Sequence, residues 1–119
     1  MRTSYFSRAG RHPFAISICR SAPRWFKGAK YMELAPSWDL IKENDLEVYK
    51  RRYREEVLSK LDPEVVVKEL RAIYREPILL CYEKPPLFCH RHEVAKWIRE
   101  SLGLGVHELD HVDLLFPVK

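Results

Sequence analysis

Apolar and polar positions change their spacing several times along the chain, and each change marks an element. The segment TSYFS (Thr3 to Ser7) is β-favouring and runs into serine, arginine and glycine, which predicts a short first strand followed by a loop. FAISIC (Phe14 to Cys19) alternates weakly and is rich in isoleucine, predicting a second strand buried on at least one face. The stretch from Arg20 to Asp39 is interrupted by Pro23, Gly28 and Pro36, too broken for a long helix. An irregular connection of about 20 residues is unusual inside a compact domain and is often functional.

From Asp45 the period becomes helical. Leu46, Tyr49, Tyr53, Val57 and Leu61 recur at three or four residues, one apolar stripe of an amphipathic helix, with Lys50, Arg51, Arg54 and Glu55 on the other face. Asp62 followed by Pro63 is an N-cap with proline at the first helical position, so a second helix starts there, with Val66, Leu70 and Ile73 as its buried stripe. Pro77 ends it, and ILLCY (Ile78 to Tyr82) predicts a fully buried strand. The loop EKPPLFC follows. Helical spacing returns at Val94, Trp97, Ile98 and Leu102 and stops at Gly103 and Gly105. A last short strand is expected near Val106 to Leu109, with a tail packed by Leu114, Leu115 and Phe116. Strands alternating with helices from Phe14 onward predict an α/β fold with a mainly parallel sheet, whose ligands bind beyond the carboxyl ends of the strands.

Composition narrows the class without changing that picture. The 119 residues, 46% hydrophobic and 32% charged, fit one folded domain spanning residues 1–119 and exclude disordered and collagen-like chains. No apolar run approaches the roughly 18 residues of a membrane helix, and PFAISIC is too short and too closely flanked by arginines for a signal peptide. A cytoplasmic location is the resulting expectation, with no membrane partner. Three cysteines, an odd number without regular spacing, argue for reduced thiols. The net charge of +4 conceals an asymmetry: residues 1–30 hold seven basic residues and no acidic one, leaving 14 basic against 17 acidic in the remainder. Such a stretch favours an anionic partner, or its arginines pair with the acidic surplus elsewhere. Tyr5, Phe6, Phe14, Trp25, Phe26 and Tyr31 are interleaved with these cations, which suits base stacking as well as a core.

The densest chemistry lies in CYEKPPLFCHRHE, Cys81 to Glu93, running from a strand end through a proline-stiffened loop into a helix start. Cys89, His90 and Arg91 at that start meet unpaired backbone N–H groups and the positive end of the helix dipole. That field lowers the pKa of a thiol or holds a phosphate or carboxylate. Cys81, beside two leucines, is more often an inert small hydrophobe, and Cys89 serves equally well as a packing residue. Glu83 caps a helix, pairs with Arg91, or acts as a general base. His90 and His92 are two apart and face different sides of a helix. The spacing of Cys81, Cys89, His90 and His92 matches no zinc pattern, so no metal is expected. A G-x-S-x-G elbow and the glycine-rich phosphate loops are absent from the chain, so no nucleotide cofactor is expected on that ground.

The runs ILLCYEKPPLFCHRHEVAKWI, YKRRYREEVL, ISICRSAPRWF and LAPSW together resemble the domain of unknown function 488 (DUF488) family. Its mark is an L-L-C-x-E segment followed closely by C-H-R at a helix start. The match runs from about Thr3 to about Leu109, and this chain lacks the longer central region of larger members. The resemblance implies a small Rossmann-like α/β domain of prokaryotes or their viruses and carries no established activity. It implies that Cys81, Glu83, Cys89, His90 and Arg91 are the motif residues and that Arg20, after the second strand, faces the same cleft.

The resulting expectation is a three-layer α/β domain with a site at the carboxyl edge of its sheet. Arg20, Cys81 and Arg91 would hold an anion, a nucleotide, nucleic-acid end or phosphorylated metabolite, while Glu83, Cys89 and His90 would carry any proton transfer or nucleophilic step. The alternative is a non-catalytic nucleic-acid-binding or regulatory module in which residues 2–30 track a phosphate backbone and the C-H-R cluster is a structural lock. The sequence decides neither between catalysis and binding nor the oligomeric state.

Overall fold

The computed structural model describes residues 1–83 and 88–109. Its strands are β1 (Arg2–Tyr5), β2 (Ala15–Ser17), β3 (Ala29–Lys30), β4 (Ile78–Cys81) and β5 (His107–Glu108). Its α-helices are α1 (Phe6–Ala9), α2 (Trp38–Ile41), α3 (Leu46–Glu56), α4 (Pro63–Ile73) and α5 (His90–Leu102), with short 3-10 turns at Met32–Leu34 and Leu58–Lys60. The strands form one parallel sheet in the order β3-β2-β4-β1-β5. Among the described residues no helix is long and apolar enough to cross a membrane.

β4 is central because it is apolar on both faces. Ile78, Leu79, Leu80 and Cys81 are all buried, as a parallel strand covered on both sides requires. Leu79 aligns with Thr3 of β1 and Ile16 of β2 and packs with Ile18, Tyr53, Leu70, Val94 and Ile98 in a core under α3, α4 and α5. Ile78, Leu80 and Cys81 join Phe6, Ala9, Ala15, Cys19 and Phe26 in a smaller cluster. The layer built around α1 and Phe26 is thin, yet it makes the architecture the expected α/β sandwich.

Local chemistry fixes the helix ends. The Asp45 carboxylate accepts from the N–H groups of Glu47 and Val48, and Asp62 caps α4 by accepting from Glu64 N–H ahead of Pro63. Gly103 closes α5 at φ 67°, a left-handed conformation that favours glycine.

Three expectations change. A short helix, α1, follows β1 in place of a loop, because Phe6 and Ala9 bury themselves against the sheet. The broken stretch after Arg20 contributes an edge strand, a 3-10 turn and α2, pairing Ser17 with Lys30. Val67 takes the core position expected of Ile73, which is exposed. The expected packing of Leu114, Leu115 and Phe116 falls outside the described residues, as does the middle of the EKPPLFC loop.

Leu79→Ala removes the branched side chain at the centre of the sheet. Urea denaturation should show a loss of about 2–5 kcal/mol.

Candidate functional site

The connections place a cleft at one end of the sheet. After β2 the chain turns outward to β3, whereas after β4 it passes through α5 to β5 on the opposite edge, beyond β1. Loops that diverge in this way leave a crevice at the carboxyl ends of neighbouring parallel strands. Here it holds about 680 Å³ and is walled by Cys19 and Arg20 after β2, by Tyr82, Glu83, Phe88, Cys89 and His90 after β4, and by Trp38, Leu46 and Tyr49 from the helical side.

Four of the six expected site residues meet in this cleft: Arg20, Glu83, Cys89 and His90. Arg20 is held by its backbone neighbours, its Nε donating to Pro36 O at 3.0 Å and its Nη2 to Ala35 O at 3.3 Å. Among the described residues no carboxylate pairs with it. The Glu83 side chain is exposed at the rim.

His90 is 5% exposed and has a defined tautomer. Its Nε2 lies 2.7 Å from the Ile18 carbonyl, which can only accept, so Nε2 carries the hydrogen and Nδ1 carries the lone pair. Nδ1 lies 3.7 Å from Cys89 Sγ. Burial pulls the imidazole pKa down to about 4, helped by the Arg91 charge and opposed by the Ile18 hydrogen bond. The ring is therefore neutral near pH 7, as a proton acceptor must be.

Cys81 and Arg91 lie beneath the cleft wall. The Arg91 guanidinium is fully buried and donates from Nε and Nη2 to the two carboxylate oxygens of Glu108 at 3.0 and 2.9 Å. Its Nη1 donates to Glu83 O at 2.6 Å and to Cys81 Sγ at 3.2 Å. The expected convergence of the whole C-H-R triplet on an open crevice is thus corrected at Arg91: Glu108, on the edge strand, absorbs its charge inside the fold.

The expectation of reduced thiols is also corrected. A disulfide joins Cys81, at the end of β4, to Cys89, the N-cap of α5, with Cα atoms 6.7 Å apart. The strand-to-helix turn brings the two together across eight positions, which an odd cysteine count could not reveal. Cys19 is the free thiol; burial raises its pKa to about 12, so it stays protonated and inert. The sulfurs of Cys81 and Cys89 and a ring nitrogen of His90 lie within 4.8 Å of one another, a soft donor set that the sequence spacing had not suggested.

Sequence reasoning missed the aromatic wall. Tyr49 packs against the main core, as its helical stripe predicts, and in addition meets Phe88 edge-on at 5.9 Å in the cleft. Trp38 is 60% exposed, a large ring left uncovered at the rim. Tyr82 is held by a 2.6 Å hydrogen bond to Ser21 O. The sequence signal is confined to Trp38 and Phe88, large rings in segments predicted to be irregular; Tyr49 and Tyr82 fall in a predicted helix and a predicted strand.

A family model described as the active DUF488-N3 subclade matches residues 5–102. The chain belongs to the DUF488 family. No curated protein and no solved structure matches it. The DUF488 match covers both walls of the cleft, from the residues after β2 to the whole of α5.

The buried imidazole makes stability depend on pH. Unfolded His90 titrates near 6.5 and the folded ring near 4, so on acidification the unfolded chain binds the proton first. Stability is retained above pH 6.5 and falls as pH drops toward 4, by about 3 kcal/mol for this residue. Urea denaturation of the DUF488 chain and of His90→Gln across that range should show a shallower acid slope in the variant.

Proposed function

We propose that the cleft binds a small ligand combining an anionic group with a planar ring, a nucleotide or a similarly phosphorylated metabolite. The observation that carries this reading is Arg20, tied to two backbone carbonyls without a carboxylate partner among the described residues, in a crevice that is also lined by Trp38, Tyr49, Tyr82 and Phe88, with Glu43 and Glu83 as its acidic residues. A guanidinium so oriented suits phosphate or carboxylate, and rings such as Tyr49, Phe88 and Trp38 suit a flat base. The first turn of α5 adds to the same field, since Cys89 as N-cap places no side-chain hydrogen bond on its N–H groups.

In this reading Arg20 holds the anion, and the neutral His90 accepts a proton through Nδ1 from a group brought against the Cys89 side of the cleft. Glu83 at the rim offers a second, solvated carboxylate. Arg91 contributes by fixing the end of β4 and the start of α5, a role distinct from ligand contact.

Calorimetric titration with nucleoside monophosphates and the matching unphosphorylated nucleosides tests the reading. The phosphorylated forms should bind more tightly, and Arg20→Ala should weaken them by about tenfold or more while leaving the nucleosides unchanged. Equal affinity for both forms, or no effect of Arg20→Ala, overturns it. Affinity should respond weakly to salt; a log-log slope of roughly −0.7 to −0.9 per phosphate contacted, with oligonucleotides as ligands, supports the backbone-tracking alternative instead.

A further inference from the structure

We propose that the Cys81–Cys89 disulfide is a thiol–disulfide exchange centre that opens on the cleft, with Cys89 as the sulfur attacked and Cys81 as the sulfur that leaves. This does not rest on the ligand reading, because exchange with a simple thiol is read without any nucleotide.

The two sulfurs differ in ways that suit these roles. Cys89 is half-buried and lines the cleft, whereas Cys81 is 0% exposed in the central strand and does not line it. A thiol arriving through the cleft therefore meets Cys89 first. Exchange also requires a stabilised leaving thiolate. Arg91 Nη1 donates to Cys81 Sγ at 3.2 Å, and Glu108 and the Glu83 carbonyl hold that guanidinium in place. A third feature is a polar group beside the attacked sulfur: His90 Nδ1, 3.7 Å from Cys89 Sγ with its lone pair assigned by the Ile18 hydrogen bond, offers an acceptor to an arriving S–H and to the Cys89 thiol once the bond opens. Cys19 also borders the cleft but is only 6% exposed, and its thiol is directed inward to the Leu80 carbonyl at 3.7 Å.

The step balances with two thiols as reductant. The first thiol attacks as its thiolate, having released its proton to solvent, and its sulfur bonds to Cys89 Sγ. The electron pair of the Cys81–Cys89 bond departs on Cys81 as a thiolate, which receives the Arg91 hydrogen bond. The second thiol attacks the sulfur that the first brought, and its own proton passes to Cys81. A small disulfide is released, and Cys89 takes up from solvent the proton that the first thiol gave away. Two thiols are oxidised to one disulfide, and the protein disulfide is reduced to two thiols. A small-molecule disulfide drives the reverse.

The test uses the intact chain isolated in air. It is exposed to glutathione, quenched with acid, and mapped by peptide mass spectrometry, with far-ultraviolet circular dichroism recorded in parallel. The expected result is a glutathione adduct on Cys89, none on Cys81 or Cys19, and an unchanged spectrum through complete reduction. In Cys81→Ser, Cys89 should react with an aromatic disulfide probe about tenfold or more faster than Cys19 in the same chain. An adduct on Cys81, or a disulfide that opens only in denaturant, overturns the proposal. So does an anaerobically isolated chain that carries both thiols bound to stoichiometric zinc, lost in Cys81→Ser, which would assign the cluster to a metal.

Discussion

A single buried guanidinium organises the end of the molecule where the cleft lies. Arg91 sits in the first turn of α5, yet it reaches the carboxylate of Glu108 on the edge strand, the backbone of Glu83 after β4, and the sulfur of Cys81. A fully buried charge is tolerated only when it is paired and hydrogen-bonded, and the fork of Arg91 meets both carboxylate oxygens of Glu108. Thr3 Oγ1 donates to that same carboxylate at 2.7 Å, so β1 is drawn into the arrangement. Three strands and one helix start are thereby fixed relative to one another. The position of Cys89 and His90 follows from that fixation, because they precede Arg91 on the same turn.

The general form of the fold was legible in the sequence because it depends on local patterns. The Asp62–Pro63 start of α4, the apolar run of β4 and the Gly103 stop of α5 each act within a few residues of chain, and each appears where the pattern placed it. The short elements were harder to read. α1 is set by the burial of Phe6 and Ala9 against a sheet that does not exist locally, and β3 is two residues long, defined by pairing with β2.

The site was legible in its address and less so in its charge balance. The strand-end and helix-start rule located the crevice, and Arg20, Glu83, Cys89 and His90 line it. The sequence could not show that Arg91 would be neutralised, since Glu108 lies 17 positions downstream on a different element. Nor could it show that the two motif cysteines face one another, since that depends on how the chain turns between β4 and α5. The aromatic wall escaped notice for a related reason: Tyr49 keeps helical register with Tyr53 and packs against the core as the stripe requires, yet it also borders the cleft, which Tyr53 does not.

The two outer strands, β3 and β5, each have only two residues among those described. Free backbone N–H and C=O groups along a border are what a foreign strand needs to zip onto a sheet, and borders this brief offer little template. Among the described residues, these two borders therefore give lateral strand addition little backbone to pair with.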